Sequence, residues 1–251
     1  MHSLHLSYQH LARTDGSARF GFGSNPHALA SLSGPIEVRL AAELPSQATF
    51  EVYVRPLSNV PATEAKALAS IVKSALSPAL ILSRNPRTLV QLVVQALSPS
   101  RRGRGDGSGM VAAMINAATL AFLNAGSVPM KGIICAVPVG RRVGGELVVD
   151  PSEEEVEVEA TGCFAFLVTR KLGHQETTAS CVHTSWRERG VRSSGSDDLV
   201  RATELAKGAA LVIADEMRES VLKMGMVPAF VFEGKEEGSL KDKPMDVKME
   251  S

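Results

Sequence analysis

The longest stretch of small and apolar residues lies between a glycine turn and a helix stop. Residues 105–109 are rich in glycine, residues 110–123 carry no charge, and residues 124–126 precede Pro129. Glycine after the last apolar residue, with proline beyond it, is typical of a helix end. A helix without a charged face must be covered on nearly all sides. The pattern predicts a buried core helix, and its glycine-rich first turn offers free N–H groups that can bind phosphate.

Polar and apolar residues alternate in the N-terminal part of the chain, which is typical of half-buried strands. The alternation is clearest over residues 36–40 and 48–54, and the apolar run 28–32 is followed by Gly34 and Pro35, which we expect to end it. We therefore predict three or four antiparallel strands here.

Helical and strand patterns then follow one another to the C-terminus. Residues 64–76 have helical spacing with Thr63 as a candidate N-cap, and the β-rich run 89–97 predicts a central strand. Further strands are predicted over 133–139, 146–150, 163–169 and near 181–186, and a long amphipathic helix over 199–224 with Asp198 as its N-cap. This order predicts an α/β (α+β) fold with helices packed on mixed sheets.

Composition narrows the classes of function. Of the 251 residues, 44% are apolar and 22% charged, and Lys+Arg equals Asp+Glu at 27 each. No global field therefore favours nucleic acid or a membrane, so any RNA contact must come from local patches. The three cysteines stand far apart in sequence, which indicates a reducing compartment rather than a disulfide framework.

No membrane segment, cofactor or metal is predicted. The N-terminus lacks the pattern of a signal peptide, and we expect no apolar stretch long enough to span a bilayer. The six histidines show no metal spacing. Residues 105–109 lack the Gly-Lys-Ser/Thr ending of a P-loop.

Several short blocks occur together in one order. They are Leu11-x-Arg13-x-Asp15-Gly16-Ser17-Ala18, Gly34-Pro35-x-Glu37-Val38, Ala48-Thr49-x-Glu51-Val52-x-Val54-Arg55-Pro56, Pro86-Arg87-Thr88, Asn116-Ala117-Ala118 through Asn124-Ala125-Gly126 to Val128-Pro129-Met130, and Leu147-Val148-Val149-Asp150-Pro151. Together they resemble the RNase PH superfamily, in particular the RNase PH-like ring subunits of the eukaryotic RNA exosome. The resemblance runs from about residue 11 to residue 172.

The resemblance implies a fold of two β-sheets with sandwiched helices, made of two related βαβα-like halves. It implies one RNase PH-like domain over residues 1–232, and the charged composition of residues 233–251 predicts a disordered tail. It also implies assembly with other RNase PH-like subunits into a six-membered ring, with S1/KH cap subunits and threaded RNA as partners. The implied location is the nucleus and nucleolus, and also the cytoplasm.

Active members of this family phosphorolyse RNA from its 3′ end, using an arginine for phosphate and two aspartates for a divalent metal. By the resemblance, the positions of the family's Gly-Thr-Arg run are Ser108, Gly109 and Met110 here. Asp150 matches the first aspartate, and the second position, six residues later, is Val156. Methionine cannot bind phosphate in a bidentate manner. Losing one such donor costs roughly 10²–10³ in rate, and a single carboxylate is a poor metal site.

Arginines supply the candidate RNA contacts. The resemblance points to Arg84 and Arg87, and the most basic stretch of the chain contributes Arg101, Arg102 and Arg104. These side chains either touch RNA phosphates or are solvated surface charges.

We therefore expect a non-catalytic structural subunit of the exosome ring. One alternative is an active phosphate-dependent 3′-to-5′ exoribonuclease, and another is a free RNA-binding or nuclease-like dimer outside the ring.

Overall fold

The fold has two β-sheets with helices packed between them and against them. The computed structural model describes residues 3–8, 11–23, 27–57, 60–98, 107–151, 158–170, 177–188 and 196–226. Its strands are β1 (Leu4–Tyr8), β2 (Gly16–Phe22), β3 (Ala28–Glu37), β4 (Thr49–Arg55), β5 (Thr88–Ala96), β6 (Ile133–Arg142), β7 (Leu147–Val149), β8 (Val158–Arg170) and β9 (Thr177–Glu188). Its helices are α1 (Thr63–Leu76), α2 (Ser108–Ala125) and α3 (Ser196–Met226), and short 3₁₀ turns lie at Leu40–Ala42, Ser77–Ala79 and Leu82–Arg84.

The first sheet has the strand order β1-β2-β3-β5-β4, and the second has β7-β6-β8-β9. Helix α2 packs on β2 and β3 of the first sheet and on β6 and β8 of the second, while α1 lies mainly under β4. Helix α3 packs on β6, β7, β8 and β9. These layers confirm the predicted architecture of two sheets with sandwiched helices.

Helix α2 is the central element, as its uncharged sequence predicts. The residues from Ala112 to Phe122 are all buried, and Gly126 ends the helix in the left-handed conformation with φ 62°. Contrary to expectation, α2 is, among the described residues, long and apolar enough to cross a membrane. Since 61% of it is buried inside the fold, it is accounted for as a core helix.

The predicted strand break at Gly34-Pro35 is wrong. β3 continues from Ala28 to Glu37, with a register shift against β5 between Ser33 and Ile36. A Cβ at Gly34 would lie 2.5 Å from the Leu89 carbonyl oxygen, and the N–H of Gly34 donates to the Asp15 carboxylate at 2.6 Å. The glycine therefore permits an irregularity within the strand instead of ending it.

Pairing of β4 differs from the predicted antiparallel run. β4 lies parallel to β5, with Phe50 opposite Val90, and β3 pairs with the other side of β5. Helix α1 lies in the connection between the two strands. Parallel strands need such a crossover, because a short hairpin turn can join only antiparallel strands.

Both predicted N-caps are also wrong. Ala62 occupies the N-cap of α1 without a side-chain hydrogen bond. Asp198 lies inside the first turn of α3, where its carboxylate accepts a hydrogen bond from Arg141 at 2.7 Å. The burial of Arg141 explains the difference, because a cation in the interior needs a partner carboxylate.

Candidate functional site

The N-terminal turn of α2 holds the residues that the sequence aligned with the phosphate site. Gly107 adopts the left-handed conformation with φ 69°, and its carbonyl accepts the N–H of Val111 at 2.9 Å. No side chain caps this helix end, and its first turn holds no acidic residue. Met110 is half-buried and packs against the hydrophobic core. The side chain at this turn is therefore a thioether in contact with the core.

Asp150 lies beside the same half of α2. The side chain of Asn116 on α2 forms hydrogen bonds with the backbone of Ala136 on β6, so these two residues lie side by side. Two residues further along β6, the Pro138 carbonyl accepts the N–H of Asp150 at 2.8 Å. Asp150 is 8% exposed and has φ 54°, in the left-handed region. The structure thus brings Asp150 and Met110 to the same end of the central helix.

Asp150 is the one carboxylate within the described residues that the resemblance aligns with the family's metal site. Within the described ranges, no group of three or more His, Cys, Asp or Glu side chains could hold a metal ion. Asp150 supplies one carboxylate, which is the lower end of the one or two carboxylates that hold Mg²⁺ beside substrate oxygens.

Arg84 and Arg87 lie at the other end of the central helix. The N–H of Ile81 donates to the Pro129 carbonyl at 2.9 Å, which ties this segment to the chain that follows α2. Since α2 has 18 residues, its two ends are about 27 Å apart. Arg87 is exposed and forms an ion pair with Glu43 at 3.3 Å. These two arginines do not form one site with Met110 and Asp150 within this subunit.

Other predicted positions fall outside the described residues. They are Val156 and the arginines Arg101, Arg102 and Arg104. The described part of that basic loop ends at Ser98, whose hydroxyl is 3.0 Å from Nδ1 of His27. Nε2 of His27 donates to the Phe22 carbonyl at 2.8 Å. His27 therefore joins the start of the loop to the connection between β2 and β3.

Two arginines that the sequence analysis did not single out lie on the outer face of the first sheet. Arg19 is on β2 and Arg55 on β4, at positions that alternate with the buried residues Phe20 and Val54. The period-two pattern was the signal that could have placed them, because outward positions of a strand follow directly from its buried ones.

Comparison with solved structures identifies the class of fold. The chain superposes on the crystal structure of rice (Oryza sativa) Rrp46 with a TM-score of 0.73 and 23% sequence identity, covering 88% of this chain and 95% of that one. The fold is therefore that of an RNase PH-like protein.

Sequence comparison then shows the family. The family described as 3' exoribonuclease family, domain 1 (RNase PH) matches residues 1–127. The chain is 38% identical over 127 residues to exosome complex component rrp46 of Schizosaccharomyces pombe, covering 51% of this chain and 53% of that protein. It is 31% identical over 223 residues to exosome complex component Rrp41 of Archaeoglobus fulgidus, covering 85% of this chain and 79% of that protein. The chain belongs to the RNase PH family of 3' exoribonucleases and is similar to its exosome components.

Proposed function

We propose that this chain is a non-catalytic structural subunit of the RNA exosome ring, of the Rrp46 or component 5 type. Similarity to exosome components over up to 85% of the chain supports the assignment to this complex. The match to the fission yeast protein spans only about half of that protein's length. The finer type is supported by the Rrp46 names among the relatives and by the likeness to rice Rrp46.

The observation that carries the non-catalytic part is Met110 in the first turn of α2. Phosphorolysis must hold inorganic phosphate against the charge of the RNA backbone, and positioned cationic donors do this. The turn offers backbone N–H groups and a thioether. Such a turn lacks the side-chain charge needed to hold the attacking phosphate.

The subunit acts by holding its ring neighbours and by lending positive charge to the RNA path. Its partners are other RNase PH-like subunits, S1/KH cap subunits and RNA, and it works in the nucleus, nucleolus and cytoplasm. Arg84, Arg87 and the loop arginines Arg101, Arg102 and Arg104 are its candidate RNA contacts. It needs no cofactor of its own.

A phosphorolysis assay tests the catalytic part. Purified full-length chain is incubated with a single-stranded RNA, Mg²⁺ and inorganic phosphate, and nucleoside diphosphates are measured. We expect no release above the level without phosphate. Release that disappears in Asp150→Ala would overturn the proposal and favour the active exoribonuclease.

Reconstitution tests the structural part. The chain is mixed with the other ring subunits of its own organism and resolved by size exclusion with mass spectrometry. We expect it to enter a stoichiometric hetero-oligomer. A stable homodimer that excludes those subunits would favour the free RNA-binding protein instead.

A further inference from the structure

The outer face of the first sheet is partly exposed on β3 and most exposed on β5 and β4. Helices α1 and α2 pack on its inner face, where alternate residues such as Ala30, Leu32 and Leu92 are fully buried. The residues between them on β3, Leu29, Ser31 and Ser33, are only half-buried.

One cross-strand row of this face carries two arginines. Arg19 on β2 lies opposite Leu29 on β3, Leu29 lies opposite Gln95 on β5, and Gln95 lies beside Arg55 on β4. Because neighbouring strands are about 4.8 Å apart, the Cα atoms of the two arginines are about 14 Å apart. The exposed amide of Gln95 stands between them. The row therefore has Arg19 at one end and the pair Gln95 and Arg55 at the other, with the apolar Leu29 between them.

Neither arginine of the row is neutralised within the described structure. The ion pairs of the described residues use other cations, among them Arg87, Arg141, Arg142 and Arg218. Nε of Arg19 is buried and has no hydrogen-bond acceptor among the described residues. Because this nitrogen is buried, a phosphate at the row would be bound by the other nitrogens of the two guanidinium groups.

An exposed aromatic ring stands in the next row. Tyr53 lies beside Val93, which lies opposite Ser31, and it is 48% exposed. Its hydroxyl donates to the Glu51 carboxylate at 2.9 Å, so the ring is held and that carboxylate is engaged. Glu51 is two residues further from the arginine row than Tyr53. The Glu51 carboxylate therefore lies beside Tyr53, on the side of the ring that points away from the arginine row.

We propose that this outer face binds the backbone and bases of single-stranded RNA, with Arg19 and Arg55 on phosphates and Tyr53 under a base. Unpaired guanidinium groups, an amide and an exposed aromatic ring are the combination that binds single strands without sequence preference. The face lies across the first sheet from α2 and is separate from the Met110 and Asp150 end of that helix. The choice of RNA as the ligand rests on the proposed function. The description of the surface rests only on the positions of its residues.

Fluorescence anisotropy with a labelled 12-nucleotide oligo-uridine tests this surface on the full-length chain. For single strands, the slope of log K against log[salt] is about −0.7 per phosphate contact. Arg19→Gln with Arg55→Gln should therefore flatten the slope by about 1.4 and weaken binding at least about tenfold. Tyr53→Ala should weaken binding about fivefold to a hundredfold with the slope unchanged.

A matched control removes two other arginines. Arg142→Gln with Arg218→Gln removes the same charge from a hairpin and from α3, and affinity and slope should stay close to those of the unchanged chain. Equal losses in the two double variants, or no loss in either, would overturn the proposal. Should the Arg19 variant unfold, Arg55→Gln alone still decides, with an expected slope change of about 0.7.

An acidic protein partner gives a different result. Unlabelled poly-glutamate is used as a competitor of the oligo-uridine. If poly-glutamate displaces the RNA at lower concentration than unlabelled oligo-uridine does, and Tyr53→Ala has no effect, the face is a protein-docking surface and the RNA proposal is wrong. These measurements use the isolated chain. Their outcome can therefore be interpreted even if the chain fails to enter the reconstituted ring.

Discussion

The side-chain amide of Asn116 takes the place of a strand neighbour for Ala136. Nδ2 of Asn116 donates to the Ala136 carbonyl at 2.8 Å, and the Ala136 N–H donates to Oδ1 of Asn116 at 2.7 Å. β6 pairs with β8 on one side, but β7 reaches only as far as Val139 on the other. The amide on α2 therefore satisfies backbone groups that the short β7 leaves open.

Replacing Asn116 by alanine should destabilise the fold by about 3 kcal/mol. The change removes two buried hydrogen bonds and leaves a buried N–H and a buried carbonyl without partners, each costing about 1–3 kcal/mol. Urea unfolding measures the loss. Ser74→Ala on the exposed face of α1 is the control. It removes one solvent-exposed hydrogen bond to Ile71 and should change stability by about 0.5 kcal/mol or less. A loss below about 1 kcal/mol for Asn116→Ala would contradict the strand-like role.

Gly162 is required by the packing of Trp186. A Cβ at Gly162 would lie 2.2 Å from the Ser185 carbonyl oxygen and 2.7 Å from Cε3 of Trp186. Gly162→Ala should therefore cost about 2–3 kcal/mol and alter the fluorescence of Trp186, the one tryptophan of the chain. Gly208→Ala on α3 meets no atom within 4 Å and should be neutral or stabilising by up to about 1 kcal/mol. Similar effects of the two changes would refute the close-packing account.

Two consecutive arginines should differ in their effect on stability. The Arg141 side chain is 7% exposed and lies 2.7 Å from the Asp198 carboxylate and 3.7 Å from that of Glu159, whereas Arg142 pairs with Glu146 in solvent. Arg141→Gln removes the buried cation that Asp198 and Glu159 share and should cost about 2 kcal/mol. Arg142→Gln should cost about 0.5 kcal/mol or less, and less at high salt. Urea midpoints of the two variants at low and high salt provide the comparison, and equal shifts would show that Arg141 is not a buried anchor of α3.

Burial divides the three thiols into two classes. Cys181 is exposed, whereas Cys135 and Cys163 are buried. Desolvation raises the pKa of Cys163 from 9.0 to about 12 and raises that of Cys135 as well. Since the thiolate is the reactive form, Ellman's reagent at pH 8 should label one thiol rapidly in the native chain and three after unfolding. Rapid labelling of two or more native thiols would contradict the buried placement.

The same raised pKa makes the fold sensitive to alkali. The unfolded thiol ionises near pH 9, and the folded Cys163 thiol only near pH 12. Between these values the unfolded state binds fewer protons, so stability falls as pH rises, by up to about 1.4 kcal/mol per pH unit for one thiol. Cys163→Ala should make the loss of stability between pH 9 and pH 10.5 shallower. An unchanged pH dependence would show that Cys163 does not contribute.

Local patterns were sufficient for the central helix and for most strands. The absence of charge in α2 correctly predicts a helix that is covered on both sides. The β-rich run of β5 correctly predicts a strand in the interior of a sheet. The parallel pairing of β4 and β5 was not predicted, because alternation gives the buried face of a strand but not its neighbour. The signal was present nonetheless, since a strand, a helix of 14 residues and another strand in succession favour a parallel crossover.

The candidate site was predicted only in part. Met110 and Asp150 were named from the sequence, and the structure brings them to one end of α2. The distance of Arg84 from that end could not be predicted, because it depends on where the chain before β5 meets the chain after α2. The row of Arg19 and Arg55 depends on the registers of four strands, which no single stretch of sequence encodes.

The family match ends at residue 127, directly after the helix that both sheets share. A fragment cut there would retain α2 but lose β6 and β8, and the amide of Asn116 together with the hydroxyl of Thr119 would face water where they now bond Ala136 and Ile134. The side of α2 that now packs on β6 and β8 would then be an exposed apolar surface. The end of the family match is therefore not a place where the folded protein can be divided. A fragment ending at residue 127 should aggregate instead of folding on its own.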